Sequence, residues 1–282
     1  MPIRKDSPGS VRFTRVGDSY QELAPGPELA QYVECYWSRL DLGGTPNHRI
    51  LPDGCVDILF SMKCGQPCSL TVIGLMTSPL ARDVEAGEGF FGVRFRPGMA
   101  SAIIDEASLL NDRIEPLESF WGPRARSIFE RLAASSAPQE MVGLFEEVLR
   151  PAVALDRSLQ VMSRLSNTAV PLSRLASDAG LSERHFRRTC VAHAGVPPKY
   201  LRRILRFRSA ADRLRTIQPR SAQPRSAQPN WAHFAAAFGY YDQAHLIREF
   251  QEFAGCTPGR FVQSLQLHDN VTSKHDEPNQ TE

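Results

Sequence analysis

The feature that most constrains this chain is a repeat in its second half. In one copy Leu172, Leu175, Ala176 and Ala179 fall at i, i+3, i+4 and i+7, and Gly180 follows at once. In the other, Trp231, Phe234, Ala235 and Phe238 fall at the same spacing, and Gly239 follows. Apolar residues at three- and four-residue intervals line one face of a helix. A glycine accepts the left-handed conformation that a tight helix exit requires. A polar helix-start residue comes next, Ser182 or Asp242. Phe186 and Cys190, or Leu246, Phe250 and Phe253, then mark the buried face of a second helix. The copies close alike, in Ala194-Gly195-Val196-Pro197-Pro198 and Ala254-Gly255-Cys256-Thr257-Pro258, displaced by 60 residues.

Two helices around a glycine turn make a helix-turn-helix unit. Helical hairpins are common in all-α proteins, so one copy would mean little. Two copies in register inside a basic block mean more. Residues 152–268 carry 17 Lys+Arg against 7 Asp+Glu, and all but Lys199 of those cations are Arg; residues 1–151 carry 15 against 20. A basic unit joined to an acidic one points to a polyanion-binding module attached to something else.

The first half reads differently. Phe91, Val93 and Phe95 alternate with Gly92, Arg94 and Arg96, the period-2 pattern of a half-buried strand. Val56–Phe60 and Leu70–Ile73 are further strand candidates, bounded by Pro52-Asp53-Gly54 and, after Phe95, Pro97-Gly98. Ala100–Leu110 and Ser127–Leu149 turn to helical spacing, and Pro151 closes this half. The expected fold is α+β: a β-rich amino-terminal domain with trailing helices over 1–151, an all-α double helix-turn-helix domain over 152–268, and a disordered tail over 269–282.

The repeat resembles the DNA-binding domain of AraC/XylS-type transcriptional regulators. The first copy is similar to that family's first motif from Leu175-Ala176 through Gly180-Leu181-Ser182 to Phe186-Arg187-Arg188 and Gly195-Val196-Pro197-Pro198. The second resembles its signature over Phe238-Gly239-Tyr240-Tyr241-Asp242-Gln243-Ala244-His245-Leu246, Arg248-Glu249-Phe250 and Gly255-Cys256-Thr257-Pro258. The resemblance spans about residues 155–265 and implies one seven-helix domain in which a long helix, here Lys199–Ile217, joins the motifs. The first half resembles, more loosely, an uncharacterised amino-terminal domain of some bacterial regulators. Arg49–Phe60 and Gly92–Gly98 carry that likeness, which implies a sensing or assembly role without naming a ligand. The implied partners are double-stranded DNA, RNA polymerase, an unidentified small-molecule effector and a second copy in a homodimer. One departure stands out: Gln218–Asn230 holds Gln-Pro-Arg-Ser-Ala twice, then Gln228-Pro229. Its prolines cannot continue a helix, and a tolerated surface insertion is the favoured reading.

A major groove admits one helix and shows each base pair as a distinct donor–acceptor pattern. Arg184, Arg187 and Arg188 lie on the face opposite Phe186 and Cys190, where a guanidinium fork suits guanine; contacts to phosphate alone are the competing reading. Gln243, Ala244, Ile247 and Arg248 form the matching face of the second copy, with His245 open to either packing or phosphate. Arg202, Arg203, Arg206 and Arg208 on the joining helix are expected mostly to face solvent, with contact to the DNA backbone as the lesser reading. Gly180 and Gly239 are the turn glycines. In the first half Arg94 and Arg96 are candidates for an effector pocket holding an anion, against the plainer expectation that they protect a sheet edge.

Other chemistry fits less well. Residues 1–151 contain one histidine, His48, so a His-based metal centre has no ligand set. Cys64 and Cys68 form a C-x3-C pair, with Cys35 and Cys55 elsewhere in that half. The alternative function is therefore a DNA-repair activator with a four-Cys zinc site there. A hydrolase built on Cys55, His48 and Asp57 lacks a nucleophile turn. No catalytic residue, cofactor or metal is expected, and no enzyme. No apolar run approaches the ~20 residues of a membrane helix, no leader peptide is legible, and six cysteines in 282 residues suggest thiols in the cytoplasm.

Overall fold

The structure, a computed structural model, describes residues 20–135, 137–150, 162, 165, 170–216 and 229–272. Among the described residues eight strands come first: β1 (Gln21–Leu23), β2 (Val33–Asp41), β3 (Thr45–Ile50), β4 (Val56–Lys63), β5 (Gln66–Ile73), β6 (Leu80–Val84), β7 (Glu88–Phe95) and β8 (Ile114–Pro116). Six form an antiparallel sheet in the order β1-β2-β7-β4-β5-β8, and β3 and β6 pair separately.

Alternation along β7 explains the two faces of the sheet. Phe91, Val93 and Phe95 are fully buried on one face, against helices α2 (Pro123–Ala133) and α3 (Pro138–Leu149), which follow the single turn of α1 (Glu118–Trp121). Phe91 stacks on Phe145 at 5.9 Å, and Phe60 meets Phe129 edge-on at 5.7 Å. On the other face Gly92 leaves room for the Trp37 ring; a Cβ there would lie 2.2 Å from it. Leu59, Val84 and Phe90 form a small apolar cluster on this side, with Trp37 and Ile73 against it.

Two helical expectations change. Ala100–Leu110 is not a continuous helix but two 3-10 turns, Met99–Ala102 and Ala107–Leu109, separated where Glu106 takes a left-handed conformation at φ 59°. Ser127–Leu149 is divided into α2 and α3, because Pro138 has no N–H to continue a helix yet suits a first turn.

The second half comprises α4 (Leu172–Asp178), α5 (Glu183–Ala194), α6 (Pro198–Thr216), α7 (Trp231–Ala237), α8 (Gln243–Ala254) and α9 (Pro258–Thr272). Phe207 of α6 sits at its centre, with ring centroids 5.0 Å from Phe250 and 5.4 Å from Phe253. α9 takes in the first four residues of the expected tail, 269–272; residues 273–282, residue 217 and the 218–228 part of the insertion lie outside the described residues.

The buried cluster is continuous from the sheet and its helices into this bundle. Three elements of the bundle rest on the first half. On α6, Leu201 and Leu205 close over Gly54, Arg208 Nη1 lies 3.0 Å from Glu34 Oε2, and the Tyr200 hydroxyl donates to the Thr77 carbonyl. His193 of α5 is 2.7 Å from the Ser101 hydroxyl. Arg49 of β3 donates to the Ala254 carbonyl at the end of α8 at 2.9 Å, where a cation suits the helix dipole.

Candidate nucleic-acid interface

The two motifs are built by the same local chemistry. Gly180 and Gly239 take φ of 67° and 72°, left-handed conformations that turn α4 into α5 and α7 into α8. The Ser182 and Asp242 side chains then accept from the backbone N–H of His185 (3.2 Å) and His245 (2.6 Å), capping α5 and α8. Both second helices end on left-handed glycines, Gly195 and Gly255. Phe186 and Cys190, and Leu246, Phe250 and Phe253, are buried.

The opposite faces are open. Arg184, Arg187 and Arg188 are exposed on α5, and Gln243, Ala244 and Arg248 are exposed on α8, with Ile247 half-buried beside them. His245 turns inward. It accepts from the Tyr241 N–H at Nδ1, which leaves the Nε2 proton for Glu249 Oε1 at 3.3 Å, and its ring meets Tyr240 edge-on at 5.4 Å. These contacts hold the ring within the domain.

The joining helix corrects another expectation. Its arginines are not a solvated face. Arg203 Nε and Arg206 Nη2 bond Glu249 at 2.9 and 2.5 Å, Arg202 donates to the Val170 carbonyl at 2.7 Å, and Arg208 is held by Glu34. Glu249 is 1% exposed, and a carboxylate so placed needs this double compensation.

Tyr241 escaped the sequence reading. The first helices of the two motifs are offset by 59 residues (Leu175 to Phe234) and the second helices by 60 (Phe186 to Leu246). The second turn therefore holds one extra residue. Tyr241, 92% exposed beside the Gln243 face, stands in that lengthened turn. Comparing the two offsets would have found it.

Arg94 and Arg96 part company. β7 is central in the sheet, so neither protects an edge. Arg96 donates to the Ala30 carbonyl at 2.8 Å. Arg94 lines a cavity of about 600 Å3 between the sheet, the β3–β6 pair and α6. Trp37, Asp57, Glu34 and Arg208 also line it. Sequence alternation could have placed Trp37 and Asp57 on the Arg94 face, but not the closure by α6.

The cysteines give no support to the zinc alternative. Cys64 and Cys68 are exposed on the β4–β5 hairpin while Cys35 and Cys55 are buried, and among the described residues no three potential ligands converge. Burial holds the Cys55 thiol well above its ordinary pKa, beside Glu34 and Arg208, the opposite of an activated nucleophile.

Residues 175–264 match the helix-turn-helix domain family. The carboxy-terminal domain is an AraC-type helix-turn-helix domain. The AraC-type domain makes the chain a DNA-binding transcriptional regulator. Ahead of it, residues 21–115 match a domain of unknown function, DUF6597. Among solved structures the chain is similar to ToxT from Vibrio cholerae O395 (9% identity, TM-score 0.39, covering 82% of this chain and 96% of that one). It is likewise similar to an unsaturated-fatty-acid-bound ToxT from strain SCE256 (9% identity, TM-score 0.38, covering 88% and 97%). No curated protein matches. Among the described residues no helix is long and apolar enough to cross a membrane.

Proposed function

We propose that α5 and α8 read successive major-groove segments on one face of duplex DNA. Arg184, Arg187 and Arg188 would lie at base edges of one segment and Gln243, Ala244 and Arg248 at those of the other. One observation carries this reading: two capped, glycine-turned motifs leave equivalent faces exposed on α5 and α8 while everything opposite them is buried. The 19 residues of α6 span about 28 Å at 1.5 Å per residue, close to the ~34 Å repeat of the groove. Arginine forks suit guanine, Gln suits adenine, and Ala suits a thymine methyl.

The unit over 152–268 is the reader, and the unit over 1–151 is its sensor. Contacts from Ser101, Arg49 and Glu34 reach α5, α8 and α6 in turn, so a change in the first half has a physical route to both reading helices. Selection of duplexes from a random pool by the full chain tests the reading. The expected product is a site of two elements about one helical turn apart; a pool without enrichment would overturn it.

A further inference from the structure

The cavity beside α6 has a volume of about 600 Å3, within the ~300–1,000 Å3 typical of small-molecule sites. Its charges decide what it can hold. Cations along its walls already face partners: Arg39 lies 2.8 Å from Asp41, Arg82 2.7 Å from Glu88, and Arg215 2.7 Å from Asp212. Arg49 is spent on the Ala254 carbonyl. An entering anion would meet cations whose charge, Arg49 apart, is already matched by a carboxylate.

At one end the balance reverses. Glu22, Glu34, Asp53 and Asp57 line the cavity there, against two guanidinium groups, Arg94 and Arg208. Arg208 is committed to Glu34. Arg94 is shared between two carboxylates, meeting Asp57 through Nε and Nη2 at 3.4 Å each and Asp53 Oδ2 at 3.5 Å, all long for an ion pair. Asp57 also accepts from Trp37 Nε1 at 3.2 Å, and Glu22 accepts from the Tyr20 hydroxyl at 2.5 Å. The Trp37 and Tyr20 rings stand 6.1 Å apart at this end, and aromatic faces attract cations.

We propose that the cavity binds an organic cation with an apolar body, its ammonium or guanidinium group seated at Asp57, Asp53 and Glu22 beside the Trp37 and Tyr20 rings. Leu59, Ile73 and Phe90 supply the apolar wall for the body. Burial, with Asp53 adding to it, pushes the Asp57 carboxyl up to about 6 against the pull of Arg94. The proposal rests on reading the first half as a sensor and gives that sensor a ligand class.

Calorimetric titration of the full chain near neutral pH tests it with three probes of one shape: tryptamine, indoleacetate and tryptophol. Tryptamine is expected to bind at least about tenfold more tightly than the other two, and Asp57→Asn or the exposed Glu22→Gln to remove most of that preference. Equal or tighter binding of indoleacetate, no binding of tryptamine, or a preference untouched by both substitutions would overturn the proposal. Because DNA is absent from the titration, such a failure leaves the DNA-reading account standing, and a failure of DNA selection leaves this one standing.

Discussion

Glu249 Oε1, buried on the second reading helix, lies 2.5 Å from Arg206 Nη2 of the helix that joins the two motifs. Arg203 bonds the same oxygen at 2.9 Å, and the Phe207 ring next to Arg206 packs against Phe250 and Phe253 of α8. The position of α8 is thus set by direct packing on α6. The proline-rich insertion between α6 and α7 is therefore expected to be dispensable for fixing it.

Replacing Glu249 with Ala leaves Arg203 and Arg206 facing an empty buried site. Removing one partner of a buried pair is strongly destabilising, and the partial exposure of the two arginines moderates the cost to about 3 kcal/mol. Denaturant unfolding checks the stability. The affinity for the DNA element read by α8 should fall more than that for the α5 element.

Deleting 223–227, one Gln-Pro-Arg-Ser-Ala unit, should leave the selected DNA site unchanged. Loop-closure entropy changes by well under ~1 kcal/mol, and the Asn230 side chain, which caps α7 at 3.1 Å, is retained. Loss of Arg225 should lower affinity slightly and equally for all sequences. Binding-site selection with the deleted chain checks this. A changed spacing between the two DNA elements would mean that the insertion sets their register.

Gly180→Ala separates conformation from crowding. Nothing lies within 4 Å of a Cβ built there, yet φ is +67°. The expected cost is ~1–2 kcal/mol of backbone strain. Gly143 in α3 also has open space but no positive φ, so Gly143→Ala should stabilise by up to ~1 kcal/mol. Thermal unfolding of the two variants should shift in opposite directions.

Asp57 gives the first half a pH signature. Burial, with Asp53 adding to it, raises the carboxyl from its ordinary 3.8 to about 6 in the folded chain, against the pull of Arg94 and Trp37. Its favourable share of stability is full below that ordinary value and is lost as pH rises through about 6, a span worth ~3 kcal/mol at most. Asp57→Asn removes this loss. Melting curves at about pH 4.5 and about pH 7.5 should show the variant gaining on the parent chain at the higher pH; a constant difference would contradict the assignment.

The sequence carried the second half almost entirely, because a repeated 3.6-residue period, a left-handed glycine and a capping residue are local signals. Alternation in 91–96 likewise gave β7 its buried face. What escaped was set by tertiary contact. The periodicity of Ala100–Leu110 gave no sign of the turn at Glu106, and the exposed look of Arg203 and Arg206 hid a partner 43 to 46 residues away. Alternation puts Arg94 and Arg96 on one strand face, yet Arg96 lies beyond the end of β7 and reaches Ala30 while Arg94 turns into the cavity. The cavity itself needs α6, some 110 residues after β7, and no local pattern reports that closure.

The most direct test of the two-helix reading compares Arg188→Ala and Arg248→Ala by binding-site selection from a random duplex pool. Each is expected to cost ~1–3 kcal/mol and to relax preference at its own base pairs only, Arg188 in the element read by α5 and Arg248 in the element read by α8. If both substitutions instead weaken every sequence alike, these arginines touch phosphate alone and the base-reading assignment is wrong.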